Sequence, residues 1–178
     1  MQLSFTTHID NQPNYFVAKI WLSLWTNKAS KNKVIDFMNQ YHDKFSVSAL
    51  QLGKSKIGEL NAKKHTIRKD KADRWKVGHK IHFVINPYSK DRFQFAPIIE
   101  VISTQNIKIE WSENSTYPFI KIWNEKSECI LNPLDHFDYI SQLEDLAIND
   151  GFDNFEEFLK YFDKDFEGKI IHWTNEKY

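Results

Sequence analysis

A chain of 178 residues with 41% hydrophobic and 27% charged side chains has the size and composition of a folded protein with a real core. Lysine plus arginine balances aspartate plus glutamate at 24 each, so no global field draws in a polyanion and extended non-specific duplex binding is not expected. The single Cys129 excludes an intramolecular disulfide, and no apolar run approaches the roughly 20 residues of a membrane span.

Met1 to Phe5 contains no basic stretch leading into an apolar run, so a cytoplasmic protein is expected. Tyr15 to Asn27 reads as a helix with a wide apolar stripe of Phe16, Val17, Ile20, Trp21, Leu24 and Trp25. A second helix over 31–45 carries Val34, Phe37, Met38, Tyr41 and Phe45 on one face. From Ser46 to Asp73 the pattern loosens into a long polar connection. Residues 54–80 concentrate lysine and arginine against only Glu59, Asp70 and Asp73.

Beyond Lys80 the texture becomes that of strands, over Ile81–Ile85, Phe93–Ser103, Ile107–Trp111, Phe119–Trp123 and Cys129–Leu131. Ile107, Ile109 and Trp111 alternate with Lys108 and Glu110, the period of a sheet with one apolar face. A meander of this kind removes its edges most simply by closing into a barrel. Helix returns at Asn132-Pro133 and stops at Asn149-Asp150-Gly151. Asp153 and Glu156 have capping-box spacing before a helix that turns Phe155, Phe158, Leu159 and Phe162 inward. Gly168 ends it, and Lys169 to Thr174 forms a last strand. The expected class is α+β, a small mixed barrel with helices outside it.

One segment carries most of the functional information. In Lys63-Lys64-His65-Thr66-Ile67-Arg68, Thr66 and Arg68 share one face of an extended stretch behind two lysines, and Arg74-Trp75 lies ahead of Gly78. Lys63, Thr66, Arg68, Gly78, Asp150-Gly151-Phe152 and the strand Ile170–Thr174 follow in an order that resembles the ASCH domains of the PUA-like superfamily. The resemblance covers about 59–178 of one 178-residue domain, with 1–50 a helical extension like that of phage-like and bacterial relatives. It implies a β-barrel with flanking helices and binding of RNA, a nucleotide or a modified nucleoside.

Some small bacterial ASCH proteins are amidohydrolases that release the acyl group of acetylcytidine through a lysine, a threonine and a glutamate. By motif position these correspond to Lys63, Thr66 and Asp150. A desolvated lysine is a base, an activated threonine hydroxyl attacks an acyl carbon, and an acid protonates the leaving amine. Asp150 is a methylene shorter than the family's glutamate and its alignment slips by about one residue, while Lys64 competes with Lys63 for the role of base. In the binding reading Lys64, His65, Arg68 and Arg74 hold polar or anionic groups and Trp75 stacks on a base. Architectural roles are equally concrete: Arg68 tying a helix end through Asp150, and Trp75 filling the end of the barrel. A third reading is a protein-interaction module of phage or prophage origin that works through the aromatic N-terminal helices. His65, His82 and His172 lack the close paired spacing of a metal motif, so neither metal nor other cofactor is expected.

Overall fold

The computed structural model describes residues 1–25, 31–47, 60–124, 128–131 and 138–178. In chain order the elements begin with β1 (Gln2–Phe5), β2 (His8–Ile9), β3 (Gln12–Pro13), α1 (Phe16–Trp25), α2 (Lys31–Phe45) and β4 (His65–Arg68). Next come β5 (Lys80–Ile85), β6 (Phe93–Gln94), β7 (Ile99–Glu100), β8 (Ser103–Glu110) and β9 (Phe119–Trp123). The chain closes with β10 (Glu128–Leu131), α3 (Asp138–Asn149), α4 (Phe155–Tyr161) and β11 (Phe166–His172). Two compact units result, Met1–Lys63 with His79–Glu100 and Lys64–Gly78 with Val101–Tyr178.

In the first unit β1 runs parallel to β5, pairing Leu3 with Phe83 and Phe5 with Ile85, and β6 and β7 pair antiparallel with β5. The short apolar run of β1 was not anticipated from the sequence. Its two inward side chains, Leu3 and Phe5, are too few to establish a period without the partner strand. Asp10 and Asn11 both take positive φ, as the two-residue turn between β2 and β3 demands. Helix α1 buries residues on nearly every side, and Trp21 Nε1 donates to the Phe95 carbonyl at 2.7 Å. The expected strand Phe93–Ser103 is instead the separate strands β6 and β7 and the start of β8. Pro97, which lacks a backbone donor, lies in the break.

The second unit is built on a five-stranded sheet of order β10-β9-β8-β11-β4. Strand β11 pairs antiparallel with both β8 and β4, so residues distant in sequence meet across it. Ile107, Ile109, Ile120, Ile122 and Ile170 are fully buried, as are Leu143 and Leu146 of α3 and Phe158 of α4. Among the described residues no sheet closes into a barrel, and the architecture is mixed α+β.

Helix α3 stops where expected. Gly151 adopts φ +95°, Phe152 N–H donates to Ala147 O and Gly151 N–H to Ile148 O, the paired bonds of a Schellman cap. The expected start at Asn132-Pro133 lies outside the described residues. Two boundary expectations are corrected. The cap of α4 is Asn154, not Asp153, with its side-chain oxygen accepting from Glu157 N–H at 2.9 Å. Gly168 does not end an element but sits inside β11, where a Cβ would come within 2.4 Å of the Arg68 carbonyl oxygen. Among the described residues no helix is long and apolar enough to cross a membrane.

Candidate functional site

Strand alternation gives the five-stranded sheet two chemically different faces. On one, register aligns Arg68, Lys169, Asn106 and Trp123 in a row across β4, β11, β8 and β9. Beside this row lies a groove of about 690 Å³ lined by Asp73, Lys76, Val77, Ser103, Thr104, Asn106, Asn124 and Lys169. Its volume falls in the range of small-molecule sites. All the lining residues but Val77 are polar or charged, and with the Ser103 hydroxyl itself buried the groove offers amide, ammonium and carboxylate groups and the Thr104 hydroxyl.

Lys169 is the buried cation of this face. Its ammonium pairs with Asp73, donates to the Trp75 carbonyl at 3.2 Å and lies 3.9 Å from the buried Asp70 carboxylate. Asp70 also accepts the backbone N–H groups of Arg74 and Trp75 at 3.0 and 2.9 Å, which fixes the loop ahead of Gly78. Asp73 bridges Lys169 to Lys76. The Lys169 hydrogen bond first, and that of Lys76 second, hold its carboxyl down at about 2. Two ammonium groups therefore flank the groove on a single carboxylate.

The opposite face carries the isoleucine core and, at one end, a largely buried polar cluster. His65 and His172 are both fully buried with ring centroids 5.2 Å apart. Asn149 Nδ2 donates to the Tyr178 phenol oxygen at 3.0 Å, and His65 Nε2 lies 3.0 Å from the same oxygen. The amide supplies one proton to the phenol oxygen, and the phenol's own proton has two acceptors in reach, the Asp145 carbonyl at 3.5 Å and His65 Nε2. With Nε2 accepting, the single N–H of the neutral imidazole is on Nδ1, facing Asp150 Oδ1 at 3.6 Å. Gln105 binds the main chain of Tyr178 from both sides, its Nε2 donating to the carbonyl at 2.6 Å and its Oε1 accepting the N–H at 3.1 Å. Burial pushes the Tyr178 phenol above its ordinary range. Burial first, then His65 and Lys177, lowers His172 to about 2, so its ring is neutral. Both ring nitrogens of His172, and the Ser103 hydroxyl paired with it in register, meet no hydrogen-bond partner among the described residues. Orphaned buried groups of this kind cost about 1–3 kcal/mol each.

The residues singled out in the sequence fall in different places. Lys63 belongs to the first unit, is 1% exposed, donates its backbone N–H to Lys19 O and holds its ammonium 4.7 Å from the Phe16 ring centroid. Thr66 and Asp150 belong to the second unit, both buried. The alternation of β4 sends Thr66 to the sheet face opposite His65. Asp150 accepts the Ile67 N–H at 3.0 Å, and Asn149 O accepts that of Lys64, so the end of α3 covers the free edge of β4. The structure thus brings His65 and Asp150 together, while the Thr66 side chain projects to the other face of the sheet from His65. Lys64 makes a part-exposed ion pair with Glu176 at 3.0 Å. Arg68 stands in the polar row. Arg74 is exposed, with its Nε 3.8 Å from Asp70, and Trp75 is buried and presents no open ring face for stacking. In the first unit Trp21 is buried, whereas Trp25 is partly exposed beneath the Lys31 ammonium.

Sequence reasoning did not single out Asn106, Asn124, Lys169, Gln105 or Tyr178 as functional. Asn106 was legible only as a polar residue among alternating isoleucines. Lys169 gains meaning from β11 register, and Tyr178 from a contact 113 positions away in the chain. Among the described residues no group of three or more His, Cys, Asp or Glu could hold a metal ion. Comparisons with protein-family models, with curated proteins and with solved structures give no match to this chain.

Proposed function

We propose that the second unit binds RNA through a single nucleotide or modified nucleoside, as the likeness to ASCH domains of the PUA-like superfamily implies, and that the ligand lies in the groove over β8 and β11. The observation that carries this reading is the lining itself. Lys76 and Lys169 supply cationic donors for phosphate or carbonyl oxygen, and Asn106 and Asn124 supply the paired donor and acceptor that read a base edge. Arg68 and Trp123 continue the row at its two ends, a guanidinium on one side and an aromatic ring on the other.

The zero net charge fits recognition of one nucleotide better than tracking of a long backbone. A cytoplasmic setting goes with this reading. Binding is favoured over amide hydrolysis because the Asp150 carboxylate is engaged by the Ile67 N–H and the Thr66 side chain projects to the face opposite His65.

The test is titration of a short single-stranded RNA into wild type and into the double variant Lys76→Ala, Asn124→Ala at several salt concentrations. The double variant is expected to bind at least about tenfold more weakly with a shallower salt slope. Equal affinity and equal slope would remove the groove from consideration.

A further inference from the structure

Asp73 sits in the groove as an internal counter-ion, and its bonding describes the group that replaces it. We infer that Asp73 is a resident, autoinhibitory anion that swings out when the groove takes a phosphodiester between Lys76 and Lys169. This rests on the groove reading above and assigns the regulation of that site. Asp73 Oδ1 meets the Lys169 ammonium and Oδ2 that of Lys76, so one negative charge shared by two equivalent oxygens bridges two cations. The two non-bridging oxygens of a phosphodiester share one negative charge in the same way. Lys76 and Lys169 are the two cations of the groove lining, and Asp73 is its carboxylate. Exchanging carboxylate for phosphodiester therefore leaves the local charge unchanged. Holding both sets two anions on one pair of ammonium groups, with the buried Asp70 carboxylate already 3.9 Å from Lys169.

Asp73 is placed so that it can leave. Its side chain is 59% exposed, whereas those of Asp70 and Lys169 are 1% and 8% exposed. It lies at the end of a turn closed by its own N–H on the Asp70 carbonyl at 2.9 Å, with φ +49°, a conformation that aspartate and asparagine both tolerate. The loop does not depend on the Asp73 carboxylate. Asp70 holds the N–H groups of Arg74 and Trp75, and Lys169 keeps the Trp75 carbonyl at 3.2 Å. Rotation of one side chain thus opens the cation pair without undoing the loop or stranding the buried ammonium. Exposed pairs of the Lys76–Asp73 kind are weak. A ligand that also bonds Asn106 and Asn124 makes contacts that Asp73 does not, and this difference drives the exchange. Until then the carboxylate lowers the apparent affinity by the fraction of time it occupies the site.

The probe is dimethyl phosphate, a monoanion without base or sugar, titrated into the full chain at low salt with the NMR signals of Lys76 and Lys169 as reporters. Trimethyl phosphate, its uncharged counterpart, and acetate are the controls. Asp73→Asn is expected to bind dimethyl phosphate at least about fivefold more tightly than wild type. Asp73→Glu, which keeps the charge, should stay within about twofold of wild type. Adding Lys76→Ala to Asp73→Asn should cancel the gain, and trimethyl phosphate should show none. Unchanged affinity in Asp73→Asn overturns the inference. So does an equal gain for trimethyl phosphate, because space rather than charge would then be the cause. A gain for acetate alone overturns the phosphodiester assignment. The same variants are then titrated with single-stranded RNA. RNA that binds the wild-type groove but no more tightly to Asp73→Asn overturns the autoinhibitory role and leaves the binding reading standing. A gain for dimethyl phosphate with RNA bound by neither protein supports the resident anion and removes the RNA reading.

Discussion

The two faces of the five-stranded sheet use similar polar residues to opposite ends. On the groove face, Asp73 is anchored low by Lys169 and Lys76 at the surface, so charge persists and can be shared with a ligand. On the other face, burial neutralises His172 and keeps the Tyr178 phenol protonated, leaving hydrogen-bond direction rather than charge to order the cluster. The lesson is that strand parity alone decides which chemistry a polar residue acquires. Neighbours such as Gln105 and Asn106 project to opposite faces.

The comparison is broken most severely at Gly168, which serves both faces because it holds β11 against β4. Gly168→Ala would press a methyl against the Arg68 carbonyl and the Phe166 ring. It should cost about 3 kcal/mol, read as a lower denaturant midpoint, and weaken RNA binding at the groove. Asp150→Ala should act on the face of the buried cluster only. Removing the acceptor of the buried Ile67 N–H is expected to cost about 1–3 kcal/mol while RNA binding by the folded protein remains. Loss of RNA binding in that variant would show that the faces are not independent.

The buried cluster should also carry a pH signature. His172 is neutral in the fold down to about 2, whereas the unfolded side chain takes up a proton near 6.5. Its contribution is thus fully present above pH 6.5 and is lost as pH falls toward 2, by up to about 1.4 kcal/mol per pH unit. Urea midpoints from about pH 8 to 4 should fall for wild type and flatten for His172→Phe. An identical acid slope in the variant would contradict a buried neutral imidazole. The smallest effect belongs to the groove. Asp73→Asn should lower the thermal midpoint only slightly, because Lys169 keeps Asp70 and the Trp75 carbonyl, but it releases the Lys76 ammonium from this carboxylate, tightening RNA binding and steepening its salt dependence.

Much of the scaffold was legible in the sequence because it rests on local pattern. The stripes of α1 and α2, the strand Phe119–Trp123 and the Gly151 stop are all written within a few residues of where they act. What failed was long-range. Strand β1 has too few apolar residues to show a period, and Gly168 reads as punctuation until the Arg68 backbone is known to pass beside it. The site divides in the same way. Lys63 to Arg68 is conspicuous as a segment, yet alternation sends Thr66 and His65 to opposite faces, and Lys63 falls in the other compact unit. Lys169, Gln105 and Tyr178 acquire roles only through the register of β11 and β8 and the return of the last residues to that sheet.

The most direct test of the account is a backbone NMR titration with a short single-stranded RNA. Binding at the groove predicts shifts at Lys76, Thr104, Asn106, Asn124 and Lys169 that saturate together, with His65 and His172 unmoved at low RNA concentration. Shifts absent from these groove residues, or confined to the first unit, would contradict it.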